Sequence, residues 1–145
     1  MASNFKLSNA AANAAIGDGS HNGVLVLLAG GYLNFYDGTQ PANPDVAVST
    51  QNSYGSVALA SPAGTTSSGV LTFATTGNAT IPGGLPGNAT PTWFRLLTSG
   101  NAAVADGSCG NTGNGTYDGN VGGSAWVSGG IINGSALGSI SIVAH

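Results

Sequence analysis

Between Tyr32 and Tyr36 the chain alternates cleanly: Leu33 and Phe35 fall on one side, Tyr32, Asn34 and Tyr36 on the other. Such a period of two marks a strand with one face on a core. Thr90–Ser99 carries a denser version of the signal. Phe94 and Leu96 share one face, Trp93 and Leu97 flank Arg95 on the other, and Pro91 marks the start. Apolar residues on both faces predict either the middle strand of a sandwich or an inner strand whose outer face meets another chain. Gly69–Thr76 repeats the alternation, with Leu71, Phe73 and Thr75 set against Val70, Thr72 and Ala74. Shorter strands are expected at Asp45–Thr50, at Ser56–Ser61 (ended by Pro62), at Val121–Ser128 and at Ala136–Ala144. A hairpin turn at Ser99-Gly100-Asn101 leads into one more, Ala102–Ala105.

The segments between them read differently. Leu7–Ile16 is alanine-rich, with Ser8 as a candidate N-cap and Gly17 as its stop, so a short N-terminal helix is expected. Its only bulky members are Leu7 and Ile16, too little apolar area to hold a helix on a core. It reads either as an arm that orders against a neighbour or as a frayed terminus. Gly17–Gly23 is a glycine link, and Val24–Leu28 is a continuous apolar run fit for a buried strand or a short core helix. Asp37-Gly38 is a turn signal, Thr39–Pro44 an exposed loop, and Gly77–Asn88 and Asp106–Asn120 longer ones. About eight strands spaced near ten residues predict an all-β fold, an antiparallel β-sandwich or jelly-roll-like domain over 24–145, preceded by an arm over 1–23.

Charge changes the picture most. In 145 residues there are five Asp, one Lys, one Arg and no Glu; charged side chains make up 5% of the chain against about 25% in ordinary soluble domains. With net charge −3 and no basic patch, nucleic-acid binding by phosphate neutralisation is excluded. A surface so poor in ions lacks the usual device for staying apart from its neighbours. It suits a subunit of a larger particle, or a secreted glycine-rich protein kept soluble by Asn, Ser and Thr. No basic region followed by an apolar run opens the chain, so cytoplasmic synthesis is expected. The longest apolar run, Val24–Gly31, is too short to span a membrane.

Reaction chemistry is hard to find. The histidines, His21 and His145, and the single Cys109 are far apart in sequence, which argues against a zinc site or a triad. Cys109 lies in a stretch without cations and reads as an inert small residue. Four of the five aspartates (Asp18, Asp37, Asp106, Asp118) precede glycine, which reads as turn chemistry rather than paired catalysis. No catalytic residue, metal site or cofactor is therefore expected. The aromatics Tyr32, Tyr36, Trp93 and Trp126 are candidates for interface anchors, core residues or a sugar-stacking platform.

Several stretches resemble small structural proteins of tailed bacteriophages: Met1–Ala15 (MASNFKLSNAAANAA), Gly30–Asn43 (GGYLNFYDGTQPAN), Thr90–Gly100 (TPTWFRLLTSG) and the Asp106-Gly107 step. They cover about a third of the chain. The resemblance implies a non-enzymatic, β-rich virion component similar to capsid decoration (cement) proteins, with a tail- or fibre-associated protein as the alternative. On that basis the major capsid protein and further copies of this chain, as a trimer, are the expected partners, and the capsid surface the expected location. The expected contact residues are Phe5, Leu7, Ile16, Tyr32, Tyr36, Trp93, Arg95, Leu97 and Trp126. A glycan-binding β-sandwich is the reading from a different class.

Overall fold

The structure is a computed structural model that describes residues 5–8, 11, 23–67, 70–85, 90–110, 119–120, 126–132 and 142–143. Among these, the fold is all-β. The strands are β1 (Lys6–Leu7), β2 (Tyr32–Tyr36), β3 (Ser53–Ser67), β4 (Val70–Thr75), β5 (Ala79–Thr80), β6 (Trp93–Leu97), β7 (Ala103–Gly110), β8 (Gly119–Asn120), β9 (Ile131–Ile132) and β10 (Ile142–Val143). One short helix, α1 (Val24–Leu27), precedes β2 and settles the apolar run there as helix rather than strand. The main sheet has the order β1-β7-β6-β2-β3-β4-β10, antiparallel throughout, and β8 joins β7 in parallel. A separate pair, β5–β9, forms a second layer.

Register explains the core. Leu33 lies opposite both Val57 and Leu96, and Phe35 opposite both Gly55 and Phe94. Leu96 continues to Ala105, and Phe94 to Gly107. One face of the sheet is thus a continuous apolar surface, completed by Leu28, Ile81, Trp126 and Ile132. Burying each large side chain of this kind stabilises the fold by roughly 1.5–3 kcal/mol. The Trp126 ring meets Phe35 edge-on, with centroids 4.9 Å apart and an interplanar angle of 68°. At Gly107 the missing Cβ leaves room for the Phe94 ring, which occupies the place a side chain would take.

Two irregularities let the sheet carry this load. The pairing of β2 with β3 slips between Phe35 and Tyr36, leaving Tyr54 as the extra residue beside Gly55. Gly55 has φ +114°, and a Cβ there would lie 3.1 Å from the Thr80 carbonyl oxygen and 3.2 Å from Ile132 Cδ1. Glycine is therefore required both by backbone conformation and by the close approach of the β5–β9 layer. Further along, β3 advances five residues, Leu59 to Gly64, while β4 advances two, Thr75 to Phe73. The surplus holds the cis Ser61–Pro62 peptide. Pro62, expected to end a strand, is accommodated because the bulge asks no ladder hydrogen bond of it.

Other expectations are corrected here. Asp45–Thr50 is not a strand. Asn43 Oδ1 accepts the Asp45 N–H and the Asn43 carbonyl accepts the Val46 N–H, which curls the chain instead of extending it. Asp106, Gly107 and Cys109, read as the start of a surface loop, belong to β7. The hairpin at Thr98–Ala102 is as expected: Thr98 N–H donates to the Ala102 carbonyl, and Asn101 takes φ 63°. Ser8 is buried and its Oγ accepts the Ala11 N–H, the contact expected of an N-cap. Leu7 belongs to β1 and not to the predicted helix, and Ala11 is helical. Residues 9–10 and 12–16 of that helix and 17–22 of the glycine link lie outside the described residues, as do most of the two C-terminal strand predictions.

Gly55→Ala should lower stability by roughly 1–3 kcal/mol, read as a fall in the urea midpoint followed by tryptophan fluorescence. Gly77→Ala, where a Cβ would meet nothing within 4 Å, should leave that midpoint within about 0.5 kcal/mol of the parent.

Candidate functional site

Most of the residues singled out by sequence converge on the other face of the main sheet. Register puts Tyr36 beside Trp93 and Trp93 beside Ser108; Asn34, Arg95, Asp106 and Lys6 form the next row, and Tyr32 and Leu97 the one after. Trp93 stacks on Tyr36 with centroids 4.5 Å apart and planes 18° from parallel. The Arg95 guanidinium donates from Nε and Nη2 to the two carboxylate oxygens of Asp106, each at 2.7 Å. Its Cζ lies 5.5 Å from the centre of the Trp93 ring, within the range of a cation–π contact. Asn34 Nδ2 donates to the Tyr36 hydroxyl at 3.3 Å.

This face is not open. Residues 37–52 cross it as a strap held by backbone carbonyls. Trp93 Nε1 donates to the Asp37 carbonyl at 2.9 Å, Thr92 Oγ1 to that of Gly38 at 2.8 Å, Lys6 Nζ to that of Ala42 at 2.9 Å, and Arg95 Nη1 to that of Val46 at 3.1 Å. The two ends of the strap are tied together where the Asp37 carboxylate accepts Asn52 N–H and Nδ2, both at 2.7 Å. Within the strap, Gln51 Nε2 reaches the Thr39 carbonyl at 2.7 Å. Pro44, expected to be exposed in a loop, is fully buried.

The expected contact residues therefore fall into four places. Trp93 is 1% exposed, Arg95 5%, Leu97 8% and Tyr36 9%, so the outer face of β6 is covered by the chain itself and not by another chain. Trp126, 8% exposed, lies in the core on the opposite face. Phe5 and Leu7 are half-buried and packed against the core, and Tyr32 is half-buried on the strapped face. Ile16 lies outside the described residues. Sequence reasoning missed Asp106 as the partner of Arg95, because Asp-Gly reads as a turn. The signal that could have found it was scarcity: a buried-looking strand with one cation needs an anion, and only five were available.

The polar side chains of this face are largely committed to one another and to the strap. Each nitrogen of the Arg95 guanidinium is engaged, two with the Asp106 carboxylate and one with the Val46 carbonyl. Cys109 is buried in β7, its Sγ 3.4 Å from the Pro91 carbonyl oxygen, and burial pushes its thiol well above the usual range, away from a nucleophilic thiolate. Tyr54 is also pushed up, by burial first and by the Asp37 charge second; its hydroxyl and Asn34 Oδ1 are buried without a hydrogen-bond partner. Among the described residues no group of three His, Cys, Asp or Glu side chains could hold a metal ion, and no helix is long and apolar enough to cross a membrane. Comparison with protein-family models, curated proteins and solved structures found no match.

Removing Arg95 strands the Asp106 carboxylate. Arg95→Met should cost about 3–5 kcal/mol, and Arg95→Met with Asp106→Leu should recover much of it, since a breached buried pair is worse than an apolar one. Urea unfolding of the two variants measures both.

Stability should also fall on the alkaline side. Below about pH 8.5 the Cys109 thiol keeps its proton in both states. Above it the unfolded chain ionises while the folded thiol, with its raised pKa, does not, so unfolding is favoured by up to ~1.4 kcal/mol per pH unit. Tyr54 adds the same sign from about pH 10. Urea midpoints taken across about pH 7–10 should decline, and Cys109→Ala should flatten the decline between about pH 8.5 and 9.5.

Proposed function

We propose that this protein is a non-enzymatic structural subunit of a virus particle, a decoration protein that seats on the outer surface of a tailed-bacteriophage head and cements its major capsid protein. The observation that carries the reading is the near absence of ions outside the fold. Arg95 and Asp106 neutralise one another in the interior, leaving Lys6, Asp37 and Asp45 as the charged residues toward the exterior among those described. The Asp37 carboxylate is already engaged by Asn52. A surface with so few ions loses little when it is dehydrated against a partner, since stripping water from charges is a large cost of interface formation. Val26, Val46, Val127 and Ile131 stand 45–70% exposed and can supply the apolar part of such contacts.

The resemblance of Met1–Ala15, Gly30–Asn43 and Thr90–Gly100 to small phage structural proteins supplies the kind of particle. Decoration in this form would bury area along the seams between coat subunits and oppose outward pressure from packaged DNA. Assembly as a trimer at the positions where coat subunits meet fits that role. A glycan-stacking platform has less behind it, because it needs exposed rings and Tyr36, Trp93 and Trp126 are buried.

Purified protein mixed with undecorated particles should bind in hundreds of copies and raise the temperature at which the shells open. A copy number of a few, or binding to tails alone, would move the protein to the tail; no binding to any part of the particle would end the assembly reading.

A further inference from the structure

The main sheet is closed at one edge by a very small element. From the N-terminal arm, Lys6 and Leu7 pair with β7 opposite Asp106 and Ala105, the Ser8 N–H adds one bond to the Val104 carbonyl at 2.8 Å, and β8 takes Cys109 and Gly110 further along. Without them the middle of β7 would present open backbone groups, the template on which foreign strands add. What holds the arm is mostly side-chain burial: Ser8 is 1% exposed and Ala11 0%, while Phe5 and Leu7 pack against the core. The receiving edge does not depend on the arm for its shape. Asp106 is fixed from the other side by both Arg95 bonds at 2.7 Å, so the edge stays formed when the arm leaves.

The arm's attachment to the rest of the chain is long. Residues 12–22, eleven in number with Gly17 and Gly19 among them, lie between Ala11 and Gly23. Extended, that many residues reach about 36–40 Å, more than twice the radius of gyration of about 15 Å for a folded chain of this length. The same pairing and the same buried contacts can therefore form with the arm's own β7 or with that of an adjacent copy. Exchange changes no contact, only which chain supplies it. In solution the covalent link favours the arm's own edge; on a particle, where copies sit side by side, a neighbour's edge reaches a comparable local concentration.

We propose that Phe5–Ser8 is an exchangeable strand, and that the Val104–Asp106 edge of β7 is its receptor on a second copy of this chain. The proposal rests on the assembly reading for the proximity of copies and names the contact through which they are joined. It also gives the N-terminal arm a partner that the sequence could not specify.

The pairing geometry provides the test. Ser8 and Val104 are a hydrogen-bonded pair, so Leu7 and Ala105 are a non-bonded pair, whose Cα separation of about 4.5 Å suits a disulfide. Two single-arm proteins, L7C with C109S and A105C with C109S, are mixed and oxidised. Exchange predicts a disulfide-linked heterodimer, with the fraction of chains converted per unit time rising about tenfold when both proteins are raised tenfold in concentration. The variant carrying L7C, A105C and C109S together shows that the bond can form within one chain. If that bond forms readily while the mixture yields no heterodimer at any concentration, exchange in solution is overturned.

Particles separate this result from the assembly reading. Wild-type protein and the variant locked within its own chain are each bound to undecorated shells. Exchange predicts that the locked form dissociates at least about tenfold faster. Equal retention of the two overturns the exchange and leaves decoration standing, whereas failure of the wild type to bind overturns decoration whatever the cross-linking shows.

Discussion

A buried ion pair holds three separate parts of this chain in one place. Arg95 on β6 meets Asp106 on β7 through two bonds, and its remaining nitrogen takes the Val46 carbonyl from the strap. Buried pairs are poor sources of net stability, because the water lost by both ions offsets most of their attraction. Their effect is on choice. Only one register of β6 against β7 brings the guanidinium fork to the carboxylate, and only one path of residues 37–52 brings a carbonyl to the third donor. A sheet built from Ala, Gly, Ser and Thr has few other features to forbid a slip, so the pair supplies specificity that the small side chains cannot.

The aromatic stack works with the pair rather than beside it. Trp93 contacts both the Tyr36 ring and the Arg95 guanidinium and is anchored by its own N–H to the Asp37 carbonyl. The strap therefore meets the sheet through carbonyl oxygens at Asp37, Gly38, Ala42 and Val46. A segment with two prolines and only the short Val46/Val48 alternation does not enter a ladder, but its carbonyls still need donors when covered. The side chains of Thr92, Trp93, Arg95 and Lys6 provide them. This is how a loop whose apolar side chains are all small or medium-sized comes to seal a sheet face.

Legibility followed the physics of each segment. β2 was readable to the residue, and β6 (Trp93–Leu97) lay inside the wider Thr90–Ser99 reading, because their alternation is short-range and each has large side chains on the core face. The Ser8 cap in the N-terminal arm was readable for the same local reason. The strap was not: its order comes from bonds between residues as distant as Thr92 and Gly38 or Lys6 and Ala42, and nothing local announces them. Asp106-Gly107 was misread because a short polar residue before glycine favours turns in isolation. Here Phe94 fills the space over Gly107 and Arg95 neutralises Asp106, so tertiary contacts override the local preference. β3 continued past Pro62 because three surplus residues absorbed it, a feature of pairing rather than of composition.

The same scarcity of charge that makes the interior pair decisive shapes the outside. A protein with seven ionic side chains that commits two of them to one internal contact favours fold definition over repulsion between molecules. Its exterior relies on neutral polar groups, which give up bound water more cheaply than ions do. Specific recognition by such a surface has to come from shape and from backbone hydrogen bonds, because long-range steering needs fields that it lacks. Sheet edges are where backbone bonds are available for recognition. A charge-poor exterior and a lightly covered edge are thus two expressions of one constraint, and both favour contacts formed at short range between neighbours already held together.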